Sequence, residues 1–527
     1  MERPSEDMRH LARLSGLLVL ILASASACGR REPSADQAAA TASPATAAAS
    51  PQPAATMQAA DDSLEPAPDA TPLPEGLAPL IEPFKGDLDG MLKRRLIRVL
   101  TVQNPVLYFV DRGREVGITY DAVKQFEQDL NKKLGNKVVA LHVVVIPVPR
   151  DELLPRLVAG QGDIAAAALT VTPERLKRVD FSKPFAEDVR EVLVTGPAAP
   201  EIGSIDELSG KQLYVRPSSS YAEHLKTLNA RFAKEGKAPV QIDAADEVLE
   251  DGDILEMVNA GLVPATVVDS FMADLYLEVF PNLKKHEGIA SPPGSIAWAF
   301  RKNSPKLAEA VNAFVRTHKA GSLAGNVLVA KYLKTTKWVT NARSDEDRKR
   351  FLSMIEVFKK YGKQYELDAL LMIAQGYQES GLDQQKRSRV GAIGVMQVMP
   401  TTARDKAVNI PDIDKLESNI HAGIKYNRWV IDNFYKDTAI TPANRQLFAF
   451  ASYNAGPGKV ASLRREAKAS GLDPDRWFNN VELIAAKRIG RETVTYVSNI
   501  YKYYLAYQLM TGLRQERQQA KEAAAKR

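Results

Sequence analysis

Leu367-Asp368-Ala369-Leu370-Leu371-Met372-Ile373-Ala374-Gln375-Gly376-Tyr377-Gln378-Glu379-Ser380-Gly381 is the stretch on which the reading of this chain turns. Leu367, Leu370, Leu371, Ala374 and Tyr377 fall at i, i+3, i+4, i+7 and i+10, one apolar face of an amphipathic helix. That helix runs into Gln378-Glu379-Ser380-Gly381 and so carries a carboxylate at its end. A carboxylate placed there is partly desolvated. Burial disfavours its charged form and raises its pKa, so it can donate a proton near neutrality. Taken alone, a Glu-Ser pair is no more than a solvated helix end.

The sequence beyond it adds three further segments in order. The first is Val390-Gly391-Ala392-Ile393-Gly394-Val395-Met396-Gln397-Val398-Met399-Pro400, followed by Ala451-Ser452-Tyr453-Asn454-Ala455-Gly456-Pro457-Gly458 and Glu492-Thr493-Val494-Thr495-Tyr496-Val497. Together with Glu379-Ser380 these resemble the soluble lytic transglycosylase domain, an all-α lysozyme-like fold, from about Phe351 to Leu509. The resemblance implies a substrate, the peptidoglycan glycan strand, and an activity, non-hydrolytic cleavage between N-acetylmuramic acid and N-acetylglucosamine that leaves 1,6-anhydro ends. It implies roles as well. Glu379 is the general acid and then the base, and Ser388 orients the muramic N-acetyl group. Met396 and Gln397 line the floor, Tyr453 and Asn454 form the opposite wall, and Tyr496 lies close by. No cofactor and no metal is expected. Gly391 to Gly394 either bring backbone close to sugar or serve turn geometry. Val494 stands where many members carry arginine. Two other readings stay open: a hydrolytic muramidase, or a non-catalytic solute receptor anchored to the wall.

Upstream the texture is different. Ile97 to Val102, Val138 to Ile146 and Asp163 to Leu169 read as strands, with a helix over Tyr120 to Leu130 between them. Alternation of this kind marks an α/β domain. Leu157-Val158-Ala159-Gly160-Gln161-Gly162-Asp163-Ile164, Thr170-Val171-Thr172-Pro173-Glu174-Arg175 and Val179-Asp180-Phe181-Ser182 follow, and later Trp298-Ala299-Phe300-Arg301-Lys302. These resemble the family-3 extracellular solute-binding domain, a two-lobed periplasmic-binding-protein fold, over about Leu96 to Leu333. By matching position, Arg175 binds a ligand α-carboxylate, Asp269 holds an α-ammonium, and Ser218, Ser219 and Ser220 contact the carboxylate again. A guanidinium suits the first role, because it grips a carboxylate with two parallel hydrogen bonds. The ligand class implied is an amino acid or a wall-derived muropeptide. Arg175 could equally serve an ordinary surface ion pair with its neighbours.

The chain start reads as an address. Arg3, Arg9 and Arg13 precede an apolar run, Leu14 to Leu22, and then small residues lead to Cys28. This is a secretory leader, with an apolar core too short to span a bilayer. Ala25-Ser26-Ala27-Cys28 resembles the bacterial lipobox, with Ala25 in place of the commoner leucine. The resemblance implies cleavage before Cys28 and its acylation, and Gly29 implies the periplasmic face of the outer membrane. Residues 28–86 are rich in Ala, Pro, Ser and Thr and bury too little to fold, so they read as a tether. The expected order is therefore leader 1–27, tether 28–86, solute-binding domain 87–335, linker 336–350, transglycosylase domain 351–512 and charged tail 513–527, an exposed helix end. Cys28 is the one cysteine, so no intramolecular disulfide can form. The net charge of +6 is spread through interspersed acids and bases, which gives no nucleic-acid footprint.

Overall fold

The structure, a computed structural model, describes residues 82–526 apart from 112–113, 136–139 and 342–344. The leader and Cys28, with the tether up to residue 81, lie outside the described residues. Residues 82–86 belong to the first folded module. Phe84 N–H donates to the Gly160 carbonyl at 2.8 Å, and the Arg94 guanidinium lies 3.8 Å over its ring. The tether therefore ends earlier than the expected boundary at 86.

Lobe one is built on β1 (Leu96–Thr101), a hairpin of β2 (Phe109–Asp111) and β3 (Arg114–Val116), α1 (Ile118–Leu134), β4 (His142–Pro147), α2 (Leu153–Ala159), β5 (Ile164–Thr170), α3 (Pro173–Arg178), β6 (Asp180–Phe181) and β7 (Ala186–Val189). Every residue of β1 is buried, which suits a parallel strand covered on both faces. The chain crosses into lobe two at β8 (Glu191–Thr195). It continues through β9 (Gln212–Val215), α4 (Ser220–Lys234), β10 (Gln241–Ala244), α5 (Asp251–Asn259), β11 (Ala265–Asp269), α6 (Ser270–Leu277) and β12 (Lys284–Ala290). It then returns to lobe one as β13 (Gly294–Phe300), followed by α7 (Pro305–His318) and α8 (Leu323–Tyr332). The main sheet of lobe one has the order β4-β1-β5-β13-β6, with β7 also on β13. Lobe two holds β11-β8-β12 and the parallel pair β9-β10. Two crossings between separately packed lobes make a hinge.

The second module is helical: α9 (Asp345–Gln364), α10 (Ala369–Ser380), α11 (Leu416–Phe434), α12 (Pro442–Ala455), α13 (Pro457–Ala469), α14 (Glu482–Arg488) and α15 (Arg491–Ala525). Residues 369–380 form α10. The Asp368 carboxylate caps it, accepting from Leu370 N–H and Leu371 N–H, and Gly381 closes it in the left-handed conformation. It is more central than one apolar face implies, since Leu371 through Gly376 are all buried. Little of the expected linker is free. Trp338 packs edge-on to Phe109, Val339 is buried with lobe two, and α9 begins at Asp345.

The charged tail differs from the expectation of an exposed end. It continues α15 without a break and meets lobe two together with the segment after β1 in lobe one. Arg517 Nη2 donates to the Gln103 carbonyl at 2.6 Å and Nε to the Val248 carbonyl at 3.1 Å. Lys521 pairs with Asp253 at 2.6 Å, and Ala520 is buried in the lobe-two core. Nearer its start the same helix contacts lobe one, where Lys502 Nζ donates to Glu127 Oε1 at 2.9 Å. Burial opposes a charge on Glu127, but Lys502 and Lys124 outweigh it and hold the carboxyl at about 2.

Candidate active site and ligand cavity

Helix α10 brings Glu379 to its last turn, where the side chain is only partly exposed. Helix α15 crosses above it and supplies Tyr496, whose hydroxyl donates to Glu379 Oε1 at 2.5 Å. Burial pushes Glu379 up to about 7, against the opposing effects of the Tyr496 hydrogen bond and the Lys386 charge. A carboxyl with that pKa holds its proton for part of the time at neutral pH, as a general acid must. Among the described residues, no second carboxylate figures among the groups acting on it.

The other predicted residues surround this carboxyl in different ways. Tyr453, on α12, is held by its hydroxyl donating to the Met396 carbonyl at 2.7 Å, and its electrostatic neighbour is Glu379. Asn454 is exposed, with Oδ1 accepting from Thr493 Oγ1 at 2.6 Å. Ser388 is half-buried in the loop after α10, and its Oγ accepts from Ala392 N–H at 2.9 Å. Gln397 turns its amide onto the loop itself, donating to the Gly394 carbonyl at 2.8 Å. Met396 does not line a floor. Its side chain is fully buried between Gly376 and Gly423, and a Cβ at Gly423 would lie 2.6 Å from Met396 Cβ. It supports the site from beneath. The glycines resolve toward turn geometry: Gly391 and Gly394 both have positive φ, and a Cβ on Gly394 would sit 2.6 Å from Asn419 Nδ2. Val494 is buried in the core, so no side chain reaches out from there.

The ligand cavity lies between the lobes of the first module, with a volume of about 200 Å³. It unites all five residues expected there: Arg175, Ser218, Ser219, Ser220 and Asp269. Arg175 is already engaged. Its Nε donates to Glu223 Oε1 at 3.2 Å, Nη1 to the Thr170 carbonyl at 3.0 Å and Nη2 to the Ser218 carbonyl at 3.2 Å. Glu223 thus occupies part of the guanidinium that a ligand carboxylate would use. The Ser218 hydroxyl donates to Glu247, and the Ser219 hydroxyl caps α4, so both are committed to the protein. Asp269 is buried, and Oδ1 has no hydrogen-bond partner. Burial, with Asp251 and Glu191 nearby, pushes its pKa well above the carboxylate range. The sequence reading missed Arg150, which also lines the cavity and bridges to Glu250 of lobe two at 2.7 Å. Nothing local in the sequence links residues 150 and 250.

Residues 97–335 match the family described as bacterial extracellular solute-binding proteins, family 3, and residues 356–474 match the transglycosylase SLT domain. The chain is a family-3 solute-binding domain fused to a transglycosylase domain. Named relatives are similar along most of this chain. Membrane-bound lytic murein transglycosylase F of Pseudomonas fluorescens is 28% identical over 441 residues, 79% of this chain and 85% of that protein. The protein of that name from Desulfosudis oleivorans is 28% identical over 435 residues, 77% of this chain and 89% of its own. Among solved structures, an ancestral arginine-binding protein bound to arginine aligns over 45% of this chain and 98% of its own, at 28% identity and a TM-score of 0.38. A mutant of the arginine-binding protein of T. maritima aligns over 47% and 99%, at 23% identity and a TM-score of 0.39. In this fusion the solute-binding domain carries the cavity, and the transglycosylase domain carries Glu379. No described helix is long and apolar enough to cross a membrane.

Proposed function

We propose that this chain is a lytic transglycosylase that cleaves the MurNAc–GlcNAc bond of peptidoglycan, with Glu379 as its acid and base. The observation that carries the reading is one partly buried carboxyl with a pKa of about 7, hydrogen-bonded by Tyr496, inside a matching transglycosylase domain. Most glycosidases divide the work between two carboxylates. Here the protonated Glu379 gives its proton to the glycosidic oxygen, and the substrate acetamido group stabilises the cation. The carboxylate left behind then takes the proton of the muramic 6-hydroxyl, whose oxygen closes the 1,6-anhydro ring. No water is consumed. Ser388, Gln397, Tyr453 and Asn454 are the surrounding groups that would place the sugars, and the relatives' names favour murein as substrate.

The solute-binding domain takes a small zwitterion, an amino acid or a muropeptide, with Asp269 on the ammonium and Arg175 on the carboxylate. The unpartnered Asp269 Oδ1 is the support for the first contact. An acyl group on Cys28 would hold the protein at the periplasmic face of the outer membrane; the relatives are named membrane-bound.

Mass spectrometry of products from purified peptidoglycan is the test. Anhydro-muramic ends are expected from the wild type, and loss of activity by about 10²-fold or more from Glu379→Gln. Reducing muramic ends would make the enzyme a muramidase. Undiminished cleavage by the variant would remove Glu379 from the mechanism.

A further inference from the structure

Tyr496 has one hydrogen to give and an oxygen that can also accept, so its direction must be set from outside. The same hydroxyl is also met by Gln375, fully buried one turn earlier on α10. Gln375 Nε2 donates to Tyr496 Oη at 3.1 Å. Gln375 Oε1 accepts from Asn427 Nδ2 of α11 at 2.9 Å. The same Asn427 nitrogen donates to the Gly423 carbonyl at 2.9 Å. A carbonyl only accepts, so Asn427 must present its nitrogen to Gly423. The second hydrogen of that nitrogen then falls to Gln375 Oε1, which turns the Gln375 nitrogen toward Tyr496. The Tyr496 oxygen receives that hydrogen, and its own hydrogen goes to Glu379. Each direction in the chain is fixed by the one before it, starting from a backbone atom.

This orientation is costly to keep. Asn427 Oδ1 is buried without a partner, and two side-chain amides are taken out of water. We propose that Gln375 and Asn427 are positioning residues of the reaction, a buried relay anchored on the Gly423 carbonyl that aims the Tyr496 hydroxyl at Glu379 Oε1 and leaves Oε2 to carry the transferable proton. This rests on Glu379 being the acid. The relay acts against burial, because a hydrogen bond to the carboxylate lowers its pKa. The other groups facing Glu379 do not replace it. The hydroxyl of Tyr453, from α12, is committed to the Met396 carbonyl. Lys386, from the loop after α10, donates to the backbone carbonyl of Glu379 at 2.8 Å. Tyr496 and Tyr453 are both pushed well above the ordinary phenol range by burial, so neither loses its proton in the working range.

In Asn427→Leu the Gln375 amide is released and can turn its oxygen to Tyr496, which then diverts the hydroxyl from Glu379. In the double variant Gln375→Met/Asn427→Leu that competing oxygen is gone, and Glu379 is again the acceptor within reach. Two readouts on the full chain follow it: the alkaline limb of kcat/KM on purified peptidoglycan, which tracks protonated Glu379, and a carbon-13 NMR titration of the Glu379 carboxyl, which needs no turnover. Asn427→Leu should raise both midpoints by about one pH unit, the size of one charge-assisted hydrogen bond. The double variant should return them to within a few tenths of the wild type. Asn427→Ser serves where Leu does not fold, since its hydroxyl bonds back to Gly423 and no longer reaches Gln375. Midpoints that stay at the wild-type value in the Asn427 variants, or that move further in the double variant, overturn the relay. Variant midpoints that shift as expected in the NMR titration, with a wild type that cleaves no peptidoglycan, would instead sink the enzyme reading while leaving the relay standing.

Discussion

Replacing Glu379 by Gln should stabilise the protein, increasingly as pH rises from about 4.5 to about 7 and by a constant amount above that. The folded carboxyl titrates at about 7 against an ordinary 4.5, because burial penalises its charge. Between those values the folded state keeps a proton that the unfolded chain has released. Stability therefore falls as pH rises through that window, and the full cost is present above about 7. The gap is worth roughly 3 kcal/mol, at about 1.4 kcal/mol for each pH unit. Gln has nearly the shape of Glu, can accept the Tyr496 hydrogen bond, and carries no charge to desolvate. At pH 8.5 the variant should thus be more stable by up to roughly 3 kcal/mol, and at pH 4.5 by about nothing. For a domain of this size each kcal/mol moves the midpoint by about 2–4 °C. Thermal unfolding followed by near-UV circular dichroism, on wild type and variant between pH 4.5 and 8.5, measures the gap. A gap that is the same at both ends would refute the buried, charge-penalised carboxyl, and with it the physical basis of the acid role. A variant destabilised at every pH would do the same.

Burial pushes the Asp269 carboxyl well above the carboxylate range, so pairing with a ligand ammonium should draw it toward the charged form and release protons; calorimetric enthalpies for amino acids or muropeptides should then vary with the ionisation enthalpy of the buffer, and an enthalpy independent of buffer would count against that contact. Arg175→Ala should weaken the same ligands by about 10- to 100-fold, the worth of a charge-assisted pair, and unchanged affinity in the titration would move the carboxylate site elsewhere. Cys28→Ala should abolish incorporation of labelled fatty acid and release the protein from the membrane fraction; continued fractionation with membranes would mean another anchor.

What was legible in the sequence was local. The period of Leu370, Leu371 and Ala374 gave α10 and placed Glu379 at its end, because both depend on residues a few positions apart. The strands over Ile97 and Asp163 were readable for the same reason. Gln375 was not, since a polar residue inside a helix reads as solvated until α11 and α15 are seen to close over it. Met396 was misplaced because an apolar residue beside the acid reads equally as wall or as foundation. Glycines at 376 and 423, distant in sequence, decide for foundation. The tail failed for a related reason. Arg517 and Lys521 look like solvent-facing charge, but their partners Val248, Asp253 and Glu256 lie in lobe two, some 265 positions away.

Helix α15 has a consequence for anyone who would cut this protein into pieces. The match to the transglycosylase domain stops at 474, whereas the hydroxyl that touches the acid belongs to residue 496. A fragment trimmed to the match would keep Glu379 and lose the tyrosine that steadies it. A fragment extended to Ala525 would keep both, but would present to water the flank that Glu127, Gln103 and Asp253 now cover. The smallest piece that can be lifted out intact is thus larger than the catalytic half, and grafting another sensor onto this cutter would mean rebuilding thirty-odd residues of its own helix to fit the newcomer.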